Sequence, residues 1–289
     1  MCRRTGLVGS GIGYSLSPQL HEAEGDALGL AVEYVLLDTA QQPGELSSAE
    51  HLIRWAGENC FVGVNVTVPH KRAALSVVDS HDELSEFLEA INTVVFLPDG
   101  SSRGYNTDAG GFGRGLDEEI GALMGDRVIQ FGAGGAGSAT AYALASRGVR
   151  HIDIVDLDLG RAGTLSKKLT EHFVGLTSQP LTPNGVSKEL AGKADGLVNA
   201  TPVGGSIHPG SLVSATWHRP DLWVADVVYT PLTTSLVTNA RQTGARAAHG
   251  GLMLAYQAAM SFELFHGIKP NADRMRDHLV SLRGGEVAT

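Results

Sequence analysis

The sequence predicts an α/β protein whose sheet contains parallel strand pairs, and three observations predict it. Short apolar runs alternate with helical patterns along most of the chain. A strand pattern, RVIQF at 127–131, runs straight into a glycine-rich turn and then a helical stretch. With 43% hydrophobic and 18% charged residues, the 289 residues hold enough apolar material for one large domain or two ordinary ones.

Residues 5–10 (TGLVGS) read as a strand entering a glycine-rich loop. Residues 18–30 read as a helix, with Ser17 as its N-cap and Pro18 in the first position, where the missing N–H costs nothing. EYVLL at 33–37 is a second strand, and 47–57 a helix. FVGVNVTV at 61–68 alternates like a strand and stops at Pro69, which has no N–H for a ladder. Residues 90–97 form a strand closed by the turn Pro98-Asp99-Gly100. A helix starts after Asp108 and runs through Asp117. After RVIQF, a helix covers 140–147 and the strand HIDIV covers 151–155, ending at Asp156. Residues 196–199 and 223–228 are strands, 235–244 is a helix, and 252–266 is a long apolar helix. There is no internal repeat or low-complexity tract.

Composition excludes several classes. A net charge of -9 without a basic stripe argues against nucleic acid. The two cysteines, Cys2 and Cys60, have no CxxC or Cys/His spacing, so a reduced, cytoplasmic protein without a metal centre is expected. Arg3 and Arg4 are not followed by an adequate apolar stretch, so neither a signal peptide nor a membrane span is expected.

The turn after RVIQF is Gly132-Ala133-Gly134-Gly135-Ala136-Gly137, a G-x-G-x-x-G between strand and helix. That is the context of a dinucleotide fingerprint. Gly132 permits the tight turn, Gly134 lets main-chain amides approach a pyrophosphate, and Gly137 lets helix pack closely on strand. The alternative is a strand-to-helix turn that binds nothing. Asp156 lies 24 residues after Gly132 (156 − 132), near the offset of about 20 for an acid that binds ribose hydroxyls. Such a carboxylate repels a 2′-phosphate, and Asp156-Leu157-Asp158 holds two acids and no Arg. NAD is therefore preferred over NADP. Asp158 reads equally as a helix N-cap, and the nearby Arg161 as a helix-face residue.

Four segments of the first half gather polar side chains beside Gly or Pro at predicted strand ends. They contain Ser15 and Ser17, then Asn65, Thr67, His70 and Lys71, then Asn92 and Thr93, then Tyr105, Asn106, Thr107 and Asp108. Hydroxyl, amide, ammonium and carboxylate groups together suit a polyhydroxylated acid. Oxidising an alcohol requires its proton to leave as the hydride leaves, and one positioned acid/base can serve both directions. Lys71 and Asp108 are the only Lys–Asp pair in these segments. An ordinary ion pair is the alternative.

These segments, in order, resemble the shikimate dehydrogenase family. The resemblance runs from Ser15-Leu16-Ser17-Pro18 through Asn65-Val66-Thr67, Pro69-His70-Lys71 and Asn106-Thr107-Asp108 to Asn199-Ala200-Thr201-Pro202, Tyr229 and Gln257. It implies two α/β domains around a cleft. One, 1–108 completed by the C-terminal helix 252–289, would bind substrate; the other, 109–251, would be a Rossmann-like doubly wound parallel sheet for the cofactor. It implies a Lys71–Asp108 catalytic dyad, Ser15 and Ser17 on the ring carboxylate, and Thr67, Asn92, Asp108, Tyr229 and Gln257 on ring hydroxyls or lining the site. Ala133, Gly134, Gly135, Ala136, Asp156, Asp158, Thr201, Val203 and Met253 would surround the cofactor. Asp156-Leu157-Asp158 is similar to the NAD-using quinate/shikimate branch, where NADP users carry Asn-Arg-Thr/Ser. The implied ligand is shikimate, quinate or a dehydro form. A biosynthetic NADP enzyme, an aminoshikimate-type relative, a homodimer and a silent binding domain stay open.

Overall fold

A computed structural model describes residues 3–42, 44–122 and 126–282. Cys2 and the last seven residues of the expected C-terminal segment lie outside the described residues. The chain forms two compact units. One takes in the residues up to Thr107 together with Ala255–Leu279, and the other is built on Asp108–Leu254.

The first unit contains β1 (Arg3–Gly9), α1 (Ser17–Ala27), β2 (Val32–Asp38), α2 (Ala49–Glu58), β3 (Phe61–Val66), β4 (Ser80–His81), α3 (Glu83–Leu88), β5 (Thr93–Phe96) and β6 (Ser102–Tyr105). The sheet order is β2-β1-β3-β5-β6-β4. β1 runs parallel to β2 and β3, whereas β5 is antiparallel to both β3 and β6. Val8, Val64, Val66 and Val94 meet Leu52, Ile53 and Ala56 of α2 in one buried cluster.

Beyond shifts of a few residues at element ends, two expectations in this unit change. The strand expected over 90–97 shortens to Thr93–Phe96. Upstream of it the Ile91 N–H bonds to the Lys71 carbonyl and the Ala90 N–H to Ser85, away from the ladder with β3. Ser17 is not an N-cap. It is the first residue of α1, the cap is Leu16, and no side chain caps this helix. The Ser17 hydroxyl instead accepts from Ser15 at 3.2 Å.

The second unit contains α4 (Asp108–Glu119), β7 (Arg127–Phe131), α5 (Gly135–Ser146), β8 (His151–Val155), α6 (Leu159–His172), β9 (Thr177–Leu181), α7 (Lys188–Gly192), β10 (Gly196–Asn199), β11 (Trp223–Asp226), α8 (Ser235–Gln242) and β12 (Ala247–Ala248). Its sheet is wholly parallel, in the order β12-β11-β10-β7-β8-β9. This is the doubly wound arrangement: the chain winds outward from β7 to β9, then returns to β10 on the other side. Ligand crevices in such sheets open at the carboxyl ends of the strands where the order reverses, here β7 and β10. α6 buries Ala162, Leu165, Ser166 and Leu169, a single helical face, and starts at Asp158, whose carboxylate accepts the Arg161 N–H at 3.1 Å. Such a cap stabilises a helix by about 1 kcal/mol. α9 (Gly250–His266) begins in this unit and continues into the first, followed by α10 (Ala272–Leu282). Among the described residues no helix is long and apolar enough to cross a membrane.

Candidate active site

In the second unit the glycine loop leaves β7 at Gly132, whose φ of +100° disfavours any side chain. A Cβ on Gly137 would collide with the Gly132 carbonyl, so α5 approaches the strand closely only with glycine there. Gly134 and Gly135, by contrast, have open space beside them, and α5 starts at Gly135. A helix N-terminus with unoccupied space in front of it suits an anionic group. The loop is also held from beneath. The fully buried Gln130 donates to the carbonyls of Gly132 (3.0 Å) and Gly137 (2.8 Å) and accepts from Thr140 (2.8 Å). Gln130 was not singled out from sequence, although an amide inside the apolar run RVIQF is the signal that marks it.

Asp156 follows β8, next to this loop. Its Oδ2 accepts the Ala133 N–H at 2.8 Å and its Oδ1 the Asp158 N–H at 2.9 Å. A carboxylate has about four acceptor positions, so capacity for two hydroxyls is left. The Arg161 guanidinium lies 3.8 Å from both Asp156 Oδ1 and Asp158 Oδ2. Asp158 therefore caps α6, which was one of its two sequence readings.

At the end of β10, Ala200 faces Gly132 so closely that a Cβ there would meet the Ala200 carbonyl at 2.6 Å. Asn199 organises the turn that follows. Its Oδ1 accepts from the Thr201 N–H (2.9 Å) and hydroxyl (2.7 Å), and its Nδ2 donates to the Val203 carbonyl (2.9 Å) and to Asp226 (2.9 Å). Asp226 also accepts from Val228 N–H (2.9 Å) and the Thr234 hydroxyl (2.7 Å). Burial pushes this carboxyl up to about 6 in spite of those donors. One buried aspartate thus joins the turn carrying Thr201 and Val203 to the main chain just before Tyr229. Met253 lies in the first turn of α9.

In the first unit, Asp38 at the end of β2 plays the corresponding part. It accepts from the Gly11, Ile12 and Ala40 N–H groups and from Gln41 Nε2, at 2.9–3.2 Å, and so shapes the loop that leads to Ser15. From Tyr34 a line of hydrogen-bonded polar groups runs across the sheet. Ser15 donates to Ser17 (3.2 Å), a pair that stands beside this line. Tyr34 donates to Asn65 Oδ1 (2.8 Å), and Asn65 Nδ2 to Thr93 (3.0 Å). Thr93 donates to Asn92 Oδ1 (2.9 Å), and Asn92 Nδ2 to Thr107 (2.9 Å), which reaches Gln257 Oε1 at 3.4 Å. Asn92 and Gln257 therefore share one network with Tyr34 and Asn65, while Ser15 and Ser17 form a separate pair. Thr67 lies beside it, its N–H bonded to the Val8 carbonyl at 2.9 Å. Lys71 accepts the Ile91 N–H through its carbonyl at 2.9 Å, which fixes its backbone beside Asn92. Asp108 opens α4 in the second unit. Tyr34 and Asp38 were missed as site components, because in sequence they look like the body and the end of an ordinary strand.

The family model for the shikimate dehydrogenase substrate binding domain matches residues 7–94, and that for the shikimate 5′-dehydrogenase C-terminal domain matches residues 252–280. Over 277 residues the chain is 40% identical to the quinate/shikimate dehydrogenase (NAD(+)) of Corynebacterium efficiens, covering 96% of this chain and 97% of that one. The chain belongs to the shikimate dehydrogenase family. Another member of the family, the shikimate dehydrogenase (NADP(+)) of Arthrobacter sp., is 41% identical over 286 residues, covering 98% and 96%. The structure of quinate dehydrogenase from Corynebacterium glutamicum in complex with NAD matches with a TM-score of 0.90 at 38% identity, over 97% of this chain and 99% of that one. Relatives named for either cofactor match equally well. Within the family, whole-chain identity does not separate the two cofactors, and the residues after β8 carry that question.

Proposed function

We propose that the protein is an NAD-dependent oxidoreductase that interconverts shikimate or quinate with the corresponding 3-dehydro acid. The observation that carries this reading is Asp156, an acid at the end of β8 that accepts an N–H of the glycine loop and keeps acceptor capacity for ribose hydroxyls. The open space at Gly134 and Gly135 fits a pyrophosphate. Ala133, Ala136, Asp158, Thr201, Val203 and Met253 complete the cofactor surroundings. NAD, when bound, supplies the hydride acceptor. Residues 109–251 form the cofactor domain in this reading, and 1–108 with 252–289 the substrate domain.

Ser15 and Ser17 hold the ring carboxylate through hydroxyl donors. Thr67, Asn92, Tyr229 and Gln257 bind ring hydroxyls and orient the carbon that reacts. Lys71 takes the proton of the hydroxyl being oxidised, and Asp108 supports the lysine's charge. In the reverse direction Lys71 returns the proton to the carbonyl oxygen. Such an acid/base contributes about 10²–10⁴ in rate. NADP is the second reading, favoured by one observation: the Arg161 guanidinium stands at this same edge.

The deciding experiment crosses NAD and NADP with shikimate and quinate and compares kcat/KM from the absorbance of reduced nicotinamide. A preference for NAD with either acid is expected. A preference for NADP would transfer the assignment to the second reading, and absence of turnover in all four combinations would overturn both.

A further inference from the structure

We propose that Gln130 is a positioning residue for the cofactor's ribose: through the Gly132–Ala133 peptide it aims the Asp156 carboxylate. This role rests on the assignment of Asp156 to the ribose hydroxyls.

Gln130 is 0% exposed, between the buried apolar residues Ile129 and Phe131 of β7. An amide in that setting is costly unless its polar atoms are partnered. Both are. Its Nε2 donates to the carbonyls of Gly132 (3.0 Å) and Gly137 (2.8 Å), and its Oε1 accepts from Thr140 (2.8 Å). A carbonyl only accepts, so chemistry fixes which way this amide faces.

The Gly132 carbonyl belongs to the same peptide group as the Ala133 N–H. That group is planar and trans, so the two point in opposite directions. The N–H meets Asp156 Oδ2 at 2.8 Å. One rigid plate is thus held by Gln130 at one edge and holds Asp156 at the other. The plate turns about ψ of Gly132 and φ of Ala133, and glycine restricts such rotation least. Gly132, at φ +100°, leaves the orientation of the plate to its hydrogen bonds. A donor on the carbonyl also polarises the peptide and makes its N–H the stronger partner for Asp156. The other carboxylate oxygen accepts the Asp158 N–H at 2.9 Å. Loss of Gln130 therefore loosens one of two points that aim the carboxylate.

The two cofactors separate this role from general support of the loop. In NADP a phosphate replaces the hydroxyl that Asp156 would receive, so aiming the carboxylate favours NAD alone. The bond to Gly137 supports the phosphate end of the loop, which both cofactors use.

The test measures kcat/KM for NAD and for NADP in wild type, Gln130→Met, Thr140→Val, Asp156→Ala and the double variant Gln130→Met/Asp156→Ala. Thermal midpoints serve as the control for folding. Gln130→Met keeps the length of the side chain and removes its hydrogen bonds; it should lower the NAD value about 5-fold and leave NADP within about 2-fold, the loss expected of one hydrogen bond. Thr140→Val frees the amide to turn and should lower the ratio of NAD to NADP about 3-fold. In the Asp156→Ala background Gln130→Met should change the NAD value less than about 2-fold, as for residues acting through one another. Equal losses with both cofactors, multiplicative effects in the double variant, or an unchanged ratio in whichever single variant keeps its thermal midpoint would overturn the role of Gln130 and leave the enzyme assignment intact. A wild type that prefers NADP, or Asp156→Ala without effect on NAD, would overturn the ribose assignment itself, and this role with it.

Discussion

Three aspartates at the carboxyl ends of strands do the same job in different places. Asp38 accepts from the loop after β1, Asp156 from the loop after β7, and Asp226 from the turn after β10. In each case the acid ends one strand and holds the loop leaving the neighbouring strand, because parallel register places them side by side. Their titration differs for a physical reason. Burial pushes Asp38 up, but donors from Gly11, Ala40, Ile12 and Gln41 outweigh it and hold the carboxyl below its usual range. Asp226 is more deeply enclosed, with fewer donors, and ends at about 6 against a usual 3.8. A folded-state value above the unfolded one means that this group's stabilisation is present below about 3.8 and lost as pH rises through 6. Asp226→Asn should therefore flatten the decline in thermal midpoint between these pH values relative to wild type; an unchanged slope would remove Asp226 as its source. Asp156→Ala should raise the KM for NAD about 10-fold or more and leave KM for the ring acid within about 2-fold, as a lost ribose contact would. Lys71→Ala should lower kcat by about 10²–10⁴, with KM little changed; turnover near wild type would dismiss the lysine as acid/base.

At the level of elements, α1 and α9 meet in the first unit through two histidines rather than through aliphatic side chains alone. His21 of α1 is fully buried, and its ring lies 5.9 Å from Phe262 and 6.0 Å from Phe265 of α9, while His266 stacks edge-on to Phe262 at 4.4 Å. Burial, and then repulsion from His266, lowers His21 to about 3; burial, and then Arg3, lowers His266 to about 4. Both rings are neutral in the fold, whereas free imidazole titrates at 6.5. The stability they carry is complete above 6.5 and is lost as pH falls toward 4 and then 3, since protons bind the unfolded chain more tightly. His21→Phe keeps an aromatic ring in the cage and should reduce the loss of thermal midpoint between pH 7 and pH 4; an acid sensitivity equal to wild type would place its origin elsewhere. The same helix α1 shows how an element can be legible while its detail is not. Pro18 and the apolar spacing mark its start within one residue, but the Ser17 hydroxyl accepts from Ser15 instead of capping the helix, and no local pattern announces that.

For the whole molecule, a ligand that binds only the folded state stabilises it by about 2.7 kcal/mol at a hundredfold excess over Kd, which in a chain of this size is roughly 5 °C or more. NAD should raise the thermal midpoint by that order and NADP by clearly less; equal shifts would argue that Asp156 and Asp158 do not face the 2′ position. The sequence by itself determined the parallel α/β architecture, the bounds of β7, β8 and β10, the glycine loop and the acid after it. Each of these depends on local chemistry: apolar runs of strand length, a turn needing glycine at Gly132, and a fixed spacing between loop and acid. Only the tertiary structure decided that β5 runs antiparallel, that Tyr34 bonds Asn65, that Gln130 holds the loop from below, and that Asp38 and Asp226 fasten loops of neighbouring strands. Those partners are brought together by strand order and register, so a glycine loop and the acid after it can be read from sequence while the residues that hold such loops in place cannot.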